Sequence, residues 1–167
     1  MKKMMCAMMF VVISITMNSC SADSAEGTDN STTAETLITN YTYNDSEIET
    51  MKLINDYRVS IGLNALEKIN HISFKCEEHN NYMIANNVVN HNDFTARSNN
   101  IISVLGAKKV GENVAYNYKT SEAAVRAWLD SPGHKENIVG DFTHFGLSVT
   151  TDAKTGKKYY TNIFAKI

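Results

Sequence analysis

The order of patterned segments predicts an α+β domain, an α-β-α sandwich in which helices flank a small central antiparallel sheet. Three observations carry this. From residue 45 onward apolar residues first recur at helical spacing, while strict alternation appears only near the C-terminus. The two alternating stretches there are joined by Asp152-Ala153-Lys154-Thr155-Gly156, a sequence suited to a hairpin connection. Helices followed by a hairpin are the pattern of segregated α and β segments.

Each element has its own signal. Asp45 or Ser46 can cap a first helix, with Glu47 and Glu49 in its opening turn and Ile48, Met51, Ile54 and Tyr57 along one stripe. Gly62 stops it. A longer helix is expected from about Leu66 to Val89, with Ile72, Cys76, His79 and Met83 on its inner face, broken at Asn90. Asp93 is a cap for a short helix carrying Ile101, Ile102 and Leu105, ended by Gly106. Val110 to Tyr116 reads as extended, and Ser121 to Leu129 as a helix with Ala124, Val125 and Trp128 inward. Ser131-Pro132 begins another helical turn, Ser as cap and Pro at the first position. Thr143, Phe145, Leu147 and Val149 alternate with His144, Gly146 and Ser148, as in a strand with one solvent face, and Lys158 to Ile167 returns beside it.

Before this domain lie two other segments. Met1-Lys2-Lys3 followed by the apolar run to Met17 has the form of a signal peptide over residues 1–19 and is too short to span a bilayer. Met17-Asn18-Ser19-Cys20 resembles a bacterial lipobox, which makes Cys20 the expected site of acylation; an ordinary signal peptide cut nearby is the alternative. Several acyl chains would hold the protein at a membrane, since each buried methylene contributes ~0.8 kcal/mol. Residues 20–46 are then the acylated Cys and a polar tether, its 26 residues after Cys20 spanning on the order of 25–30 Å as a flexible coil, and residues 47–167 are the folded domain. Loss of residues 1–19 removes Lys2 and Lys3 but no acid, which takes the net charge from −2 to −4. An acidic chain without a basic cluster excludes nucleic acid as a natural partner. With Cys6 removed and Cys20 acylated, Cys76 is left alone and reads as a small buried hydrophobe.

The residues that carry chemistry also carry a resemblance. Asn55-Asp56-Tyr57-Arg58, Gly62-Leu63-Asn64-Ala65-Leu66, His91, Gly111-Glu112-Asn113, Trp128, Ser131-Pro132-Gly133-His134 and Tyr159-Tyr160-Thr161-Asn162 occur in an order that resembles the bacterial branch of the CAP superfamily of cysteine-rich secretory, antigen 5 and pathogenesis-related proteins. The resemblance implies a sandwich with a central cleft in which two His and two Glu often gather. His91 and Glu112 match the first of each. Ser131 and Tyr159 stand where the second Glu and second His are expected, so the four-residue site does not carry over whole; His134 is the candidate replacement.

Physical reasoning adds to this. In a first helical turn the positive helix end disfavours imidazolium, so His134 is expected neutral, as a metal ligand or base must be. His91, His134 and Glu112 are the candidate metal ligands, with Zn²⁺ or another divalent metal weakly bound, and Glu112 is also the candidate base. Tyr159, Thr161, Asn113 and Asn137 are expected to line the cleft. The same residues have structural readings: His91 as a donor at a helix end, Glu112 as an acceptor pinning its loop, His79 as a satisfied core histidine, His71 and His144 as solvated. Arg58 and Arg97 read as donors to loop carbonyls, Trp128 and Phe164 as core.

Function follows in the same order. The expectation is an envelope-anchored, extracytoplasmic protein whose cleft binds a metal, a lipid-like molecule or an envelope or host-surface ligand. A metal-assisted hydrolase using Glu112, and a structural lipoprotein with an inert cleft, are the alternatives. No HExxH and no nucleophile set in a motif with a base occurs.

Overall fold

A computed structural model describes residues 36–167, so the signal segment and Cys20 lie outside the described residues. These residues form helices α1 (Asp45–Ser60), α2 (Asn70–Asn86), α3 (Phe94–Leu105), α4 (Ser121–Asp130) and α5 (Pro132–Val139), and strands β1 (Glu67–Lys68), β2 (Lys109–Tyr116), β3 (His144–Thr151) and β4 (Lys158–Lys166). The sheet order is β1-β3-β4-β2. β3 pairs antiparallel with β4, and β4 with β2, while β1 runs parallel to β3. The sheet is therefore mixed rather than wholly antiparallel.

Side-chain alternation sorts the helices onto the two faces. Phe145, Leu147 and Val149 of β3 and Tyr160 and Phe164 of β4 pack with Met51 and Ile54 of α1, Trp128 of α4 and Ile138 of α5. Ile163 and Ala165, on the opposite face of β4, pack with Ile72 and Cys76 of α2 and Ile101 of α3. Burying a large apolar side chain contributes roughly 1.5–3 kcal/mol, so these two layers supply most of the driving force. The second face of β3 is not open to solvent as its alternation suggested. Gly146 and Ser148 lie buried beneath α2.

Local chemistry explains where elements begin and end. α1 is capped one residue earlier than expected, by Asn44, in a reciprocal box: Glu47 N–H donates to Asn44 Oδ1 and Asn44 N–H to Glu47 Oε2. Ile48 points outward at 51% exposure, and the buried stripe runs through Glu47, Met51, Ile54 and Arg58 instead. α2 is shorter than its apolar period because Leu66 to Lys68 join the edge of β3, with Glu67 N–H donating to Thr143 O and Ile69 N–H to Phe145 O. Its C-terminus is set by Asn87 at φ 52°, ahead of Asn90; the short Asn side chain tolerates this left-handed turn.

Two polar assignments also change. His71, expected at the surface, is 1% exposed; its Nδ1 accepts from Ile38 N–H and its Nε2 meets Asn100 Oδ1 at 2.7 Å. His144 is half-buried, 2.8 Å from Thr143 Oγ1 through Nδ1. The segment before α1, read as tether, is docked from about residue 38: Asn70 Nδ2 donates to Thr39 O, Tyr43 OH to Asn70 Oδ1 and Tyr41 OH to Glu47 Oε1. These are polar contacts, which hydropathy does not reveal. Cys76 is buried, as expected of it, and burial pushes its thiol pKa well up.

Candidate functional site

β2 is the outer strand on one side of the sheet, so residues from both helical layers can meet around its edge. Register alternation sends Glu112, opposite Ile163, toward the α2/α3 layer and Asn113, opposite Asn162, toward the other. The open edge is braced by side chains. Glu112 O accepts from Asn137 Nδ2 at 3.1 Å and Val114 O from Trp128 Nε1 at 3.0 Å. A Cβ at Gly111 would lie 2.6 Å from Asn137 Oδ1, so a larger residue there would push the bracing Asn137 side chain aside.

Glu112 is the centre of one polar cluster. Its side chain is 1% exposed and both oxygens are engaged. Arg97 grips it with two nitrogens, Nε to Oε2 and Nη2 to Oε1, each at 2.9 Å, and His91 Nδ1 lies 2.8 Å from Oε1. Such a fork is the strong form of carboxylate pairing. A carboxylate only accepts, so His91 carries its proton on Nδ1 and keeps the Nε2 lone pair free when neutral. Half of the His91 side chain is exposed, at 51%.

The second candidate imidazole, His134, is tied to the neighbouring position of β2, Asn113. His134 sits in the first turn of α5 with Nδ1 2.9 Å from Ser131 Oγ. That contact takes the Ser131 hydroxyl from the capping role: Ser131 is the N-cap residue but makes no side-chain bond to the helix N–H groups. Asn113 Nδ2 donates to His134 O, and Asn137 Nδ2 to Asn113 Oδ1, which ties α5 to β2. Burial, and then the charge of His91, hold the His134 pKa below the usual histidine value. A cavity of about 320 Å³ adjoins His134, lined by Val89, Tyr116, Tyr118, Trp128 and Ser131. Another of about 580 Å³ adjoins His91 along the start of α3.

The structure does not bring every expected residue here. Asn113 and Asn137 brace the strand with their amides. Tyr159 is 2% exposed and its ring packs on Tyr116, 4.7 Å between centroids, while Thr161 Oγ1 donates to Asn80 Oδ1 inside the domain. Burial and the neighbouring Tyr116 raise the Tyr159 pKa. Arg97, expected to serve loop carbonyls, does so at Asn92 O, 2.7 Å, but Glu112 is its main partner. The sequence held a signal for this, because Glu112 falls in register with Val110 and Val114, and a charge on an inward-facing period requires a partner.

For a divalent metal, the fit is limited. His91 and His134 each offer one imidazole nitrogen, and the Glu112 carboxylate is 1% exposed and already held by Arg97 and His91. Among the described residues no group of three or more His, Cys, Asp or Glu side chains is placed to hold a metal ion.

A helix–sheet–helix sandwich with a His/Glu pair at an edge strand defines a class. The chain belongs to the CAP family, described as the cysteine-rich secretory protein family, whose pattern it matches over residues 51–164. It is 32% identical over 127 residues to the uncharacterized protein YkwD of Bacillus subtilis (strain 168), covering 74% of this chain and 48% of that one. Over 60 residues it is 43% identical to the uncharacterized membrane protein YlbC of the same organism, covering 35% of this chain and 16% of the relative. The chain thus spans less than half the length of the curated relatives it matches. An outer surface protein from Borrelia burgdorferi has the same fold, with TM-score 0.66 and 19% identity, covering 77% of this chain and 98% of that one. An extracellular protein containing an SCP domain from Bacillus anthracis Ames is similar at TM-score 0.64 and 25% identity, covering 73% and 40%.

Proposed function

We propose that this chain is an extracytoplasmic binding module, held at the cell envelope through Cys20, whose cleft presents His91 and His134 to a ligand from the envelope or a host surface and takes a divalent ion weakly. The observation that carries binding over hydrolysis is the state of Glu112. A general base must reach a proton on substrate or water, and the Glu112 side chain is 1% exposed with its charge paired to the Arg97 guanidinium. Glu112 instead acts on His91, fixing its tautomer and orientation. Location outside the cytoplasm is supported by the leader-like N-terminus and by the outer-surface and extracellular descriptions of similar proteins. Mass spectrometry of the N-terminal peptide should find Cys20 carrying diacylglycerol; a free thiol there would remove the anchor from this reading.

Zinc is the probe for the cleft. Two imidazole ligands are fewer than the three or four of built zinc sites, so binding should be weak and reversible. It should also fall with acidity, because protonated imidazole cannot ligate: an ordinary histidine is mostly charged at pH 5.5, which weakens its ligation roughly tenfold. His134, held low by burial, should lose less than that. Calorimetric titration of the full chain at pH 7.5 and 5.5 should show binding that weakens in acid and is lost in His91→Ala and His134→Ala. Equal zinc binding by all three proteins at both pH values would rule out a metal in this cleft.

A further inference from the structure

His91 stands on a loop, and a half-exposed loop side chain has no fixed direction unless its backbone is held. The loop is bounded by two non-glycine residues in the left-handed region, Asn87 at φ 52° and Asp93 at φ 58°. Such conformations persist where the surroundings over-determine them. Two residues one turn apart on α2 supply that constraint. His79 Nε2 lies 2.9 Å from Asn90 O, and Tyr82 OH accepts from Asn92 Nδ2 at 2.9 Å, so the residues on both sides of His91 are tied to one helix. The two rings stack, 5.9 Å apart and 12° from parallel, and Asn92 N–H donates back to Asn90 Oδ1. Arg97, which grips Glu112, also donates to Asn92 O.

We infer that His79 and Tyr82 are positioning residues, which aim His91 at Glu112 and at whatever the cleft binds, through Asn90 and Asn92. This rests on the reading of His91 as a binding group. A second feature of His79 supports it. The carbonyl of Asn90 accepts only, so the proton of the neutral ring sits on Nε2, and Nδ1 is left as a buried acceptor without a partner. Burial lowers the His79 pKa, and the bond to Asn90 partly opposes that. A position chosen for packing alone would be better filled by an apolar ring, which leaves no acceptor unmatched. The histidine is there for the contact it makes at Nε2.

The test separates aim from stability. His79→Phe keeps an aromatic ring beside Tyr82 but loses the donor to Asn90 O, and that half-buried carbonyl can turn to water. His79→Gln keeps a donor. In ¹⁵N NMR of the full chain, His91 in the wild type should show the Nδ1–H tautomer imposed by Glu112. His79→Phe should shift it toward the ordinary mixture and weaken zinc binding about tenfold or more, the scale of loss when a group that orients a metal ligand is removed. His79→Gln should restore both. Tyr82→Phe, which removes a single hydroxyl, should move the His91 signal in the same direction and serves as the readout if His79→Phe fails to fold. A folded His79→Phe or Tyr82→Phe protein with the wild-type His91 tautomer would overturn the inference. If the wild type takes no zinc, the metal reading falls while the His91 signal still decides this one.

Discussion

Gly146→Ala is expected to remove about 4 kcal/mol of stability or more, a large share of the ~5–15 kcal/mol typical of a domain. Gly146 lies in β3 directly under the first turn of α2. A Cβ there would sit 2.6 Å from the backbone carbon and Cβ of Ile72, and closer still to the backbone nitrogen of Ser73. Ordinary overpacking costs roughly 1–3 kcal/mol because side chains can yield. Here the obstacle is helix backbone, so α2 as a whole must lift. That movement would open the layer containing Ile72, Cys76 and Ile163, and would stretch the bonds Gly146 O accepts from Asn162 Nδ2 and Cys76 Sγ. A thermal melt should show the midpoint lowered by about 10–20 °C. Gly133→Ala is the control: its Cβ would meet nothing within 4 Å, and alanine is the better helix former, so the same melt should be unchanged or slightly raised. Equal midpoints for Gly146→Ala and wild type would show that α2 is not seated on this glycine.

The second large effect is expected at Arg58, where Arg58→Met should cost about 3 kcal/mol or more, the sum of two or more buried carbonyls left unsatisfied. Arg58 is wholly buried and faces oxygens rather than a carboxylate. Its Nε donates to Asn64 O at 2.8 Å, Nη1 to Ile138 O at 2.7 Å and Gly140 O at 3.0 Å, and Nη2 to Asn64 Oδ1 at 3.1 Å. Ile138 O and Gly140 O lie at the C-terminal end of α5, where a cation is favoured by the helix dipole. Burial lowers the Arg58 pKa, with the charge of Asp141 opposing it. Methionine fills most of the volume but leaves these carbonyls inside the protein without donors, and each unsatisfied group costs ~1–3 kcal/mol. Lysine does not rescue it, since one ammonium cannot span the guanidinium fork. Hydrogen exchange should report the loss first in residues 138–143. A denaturation midpoint for Arg58→Met within experimental error of wild type would refute the argument. Because α5 carries His134, the same variant is expected to loosen the cleft.

Periodicity is a sound guide where the side chain itself carries the signal. The stripe Ile72, Cys76, His79 and Met83 is buried on α2, Gly106 closes α3 and Pro132 opens α5. Element ends were less legible, because they depend on partners distant in sequence. The first residues of the expected long helix became β1 only because β3, more than seventy residues later, offered an edge. Arg58, read as a donor to loop carbonyls, lies inside α1's packed face because the loop carrying Asn64 and the end of α5 supply oxygens to receive its guanidinium.

By itself, the sequence determined the α+β class, the order of helices and hairpin and the family motifs, and it nominated His91, Glu112 and His134 as candidates. Those properties reside in local periodicity, capping chemistry and motif spacing, which the chain carries before it folds. Only the tertiary structure decided what these residues can do. Arg97 takes both oxygens of Glu112, Ser131 turns from helix cap to partner of His134, and Asn113 and Asn137 turn inward to brace the edge of β2. A carboxylate in a sequence is equally a base, a ligand or a counter-ion. Which it becomes depends on the donors that reach it through space, and Arg97 reaches Glu112 because α3 packs across β2.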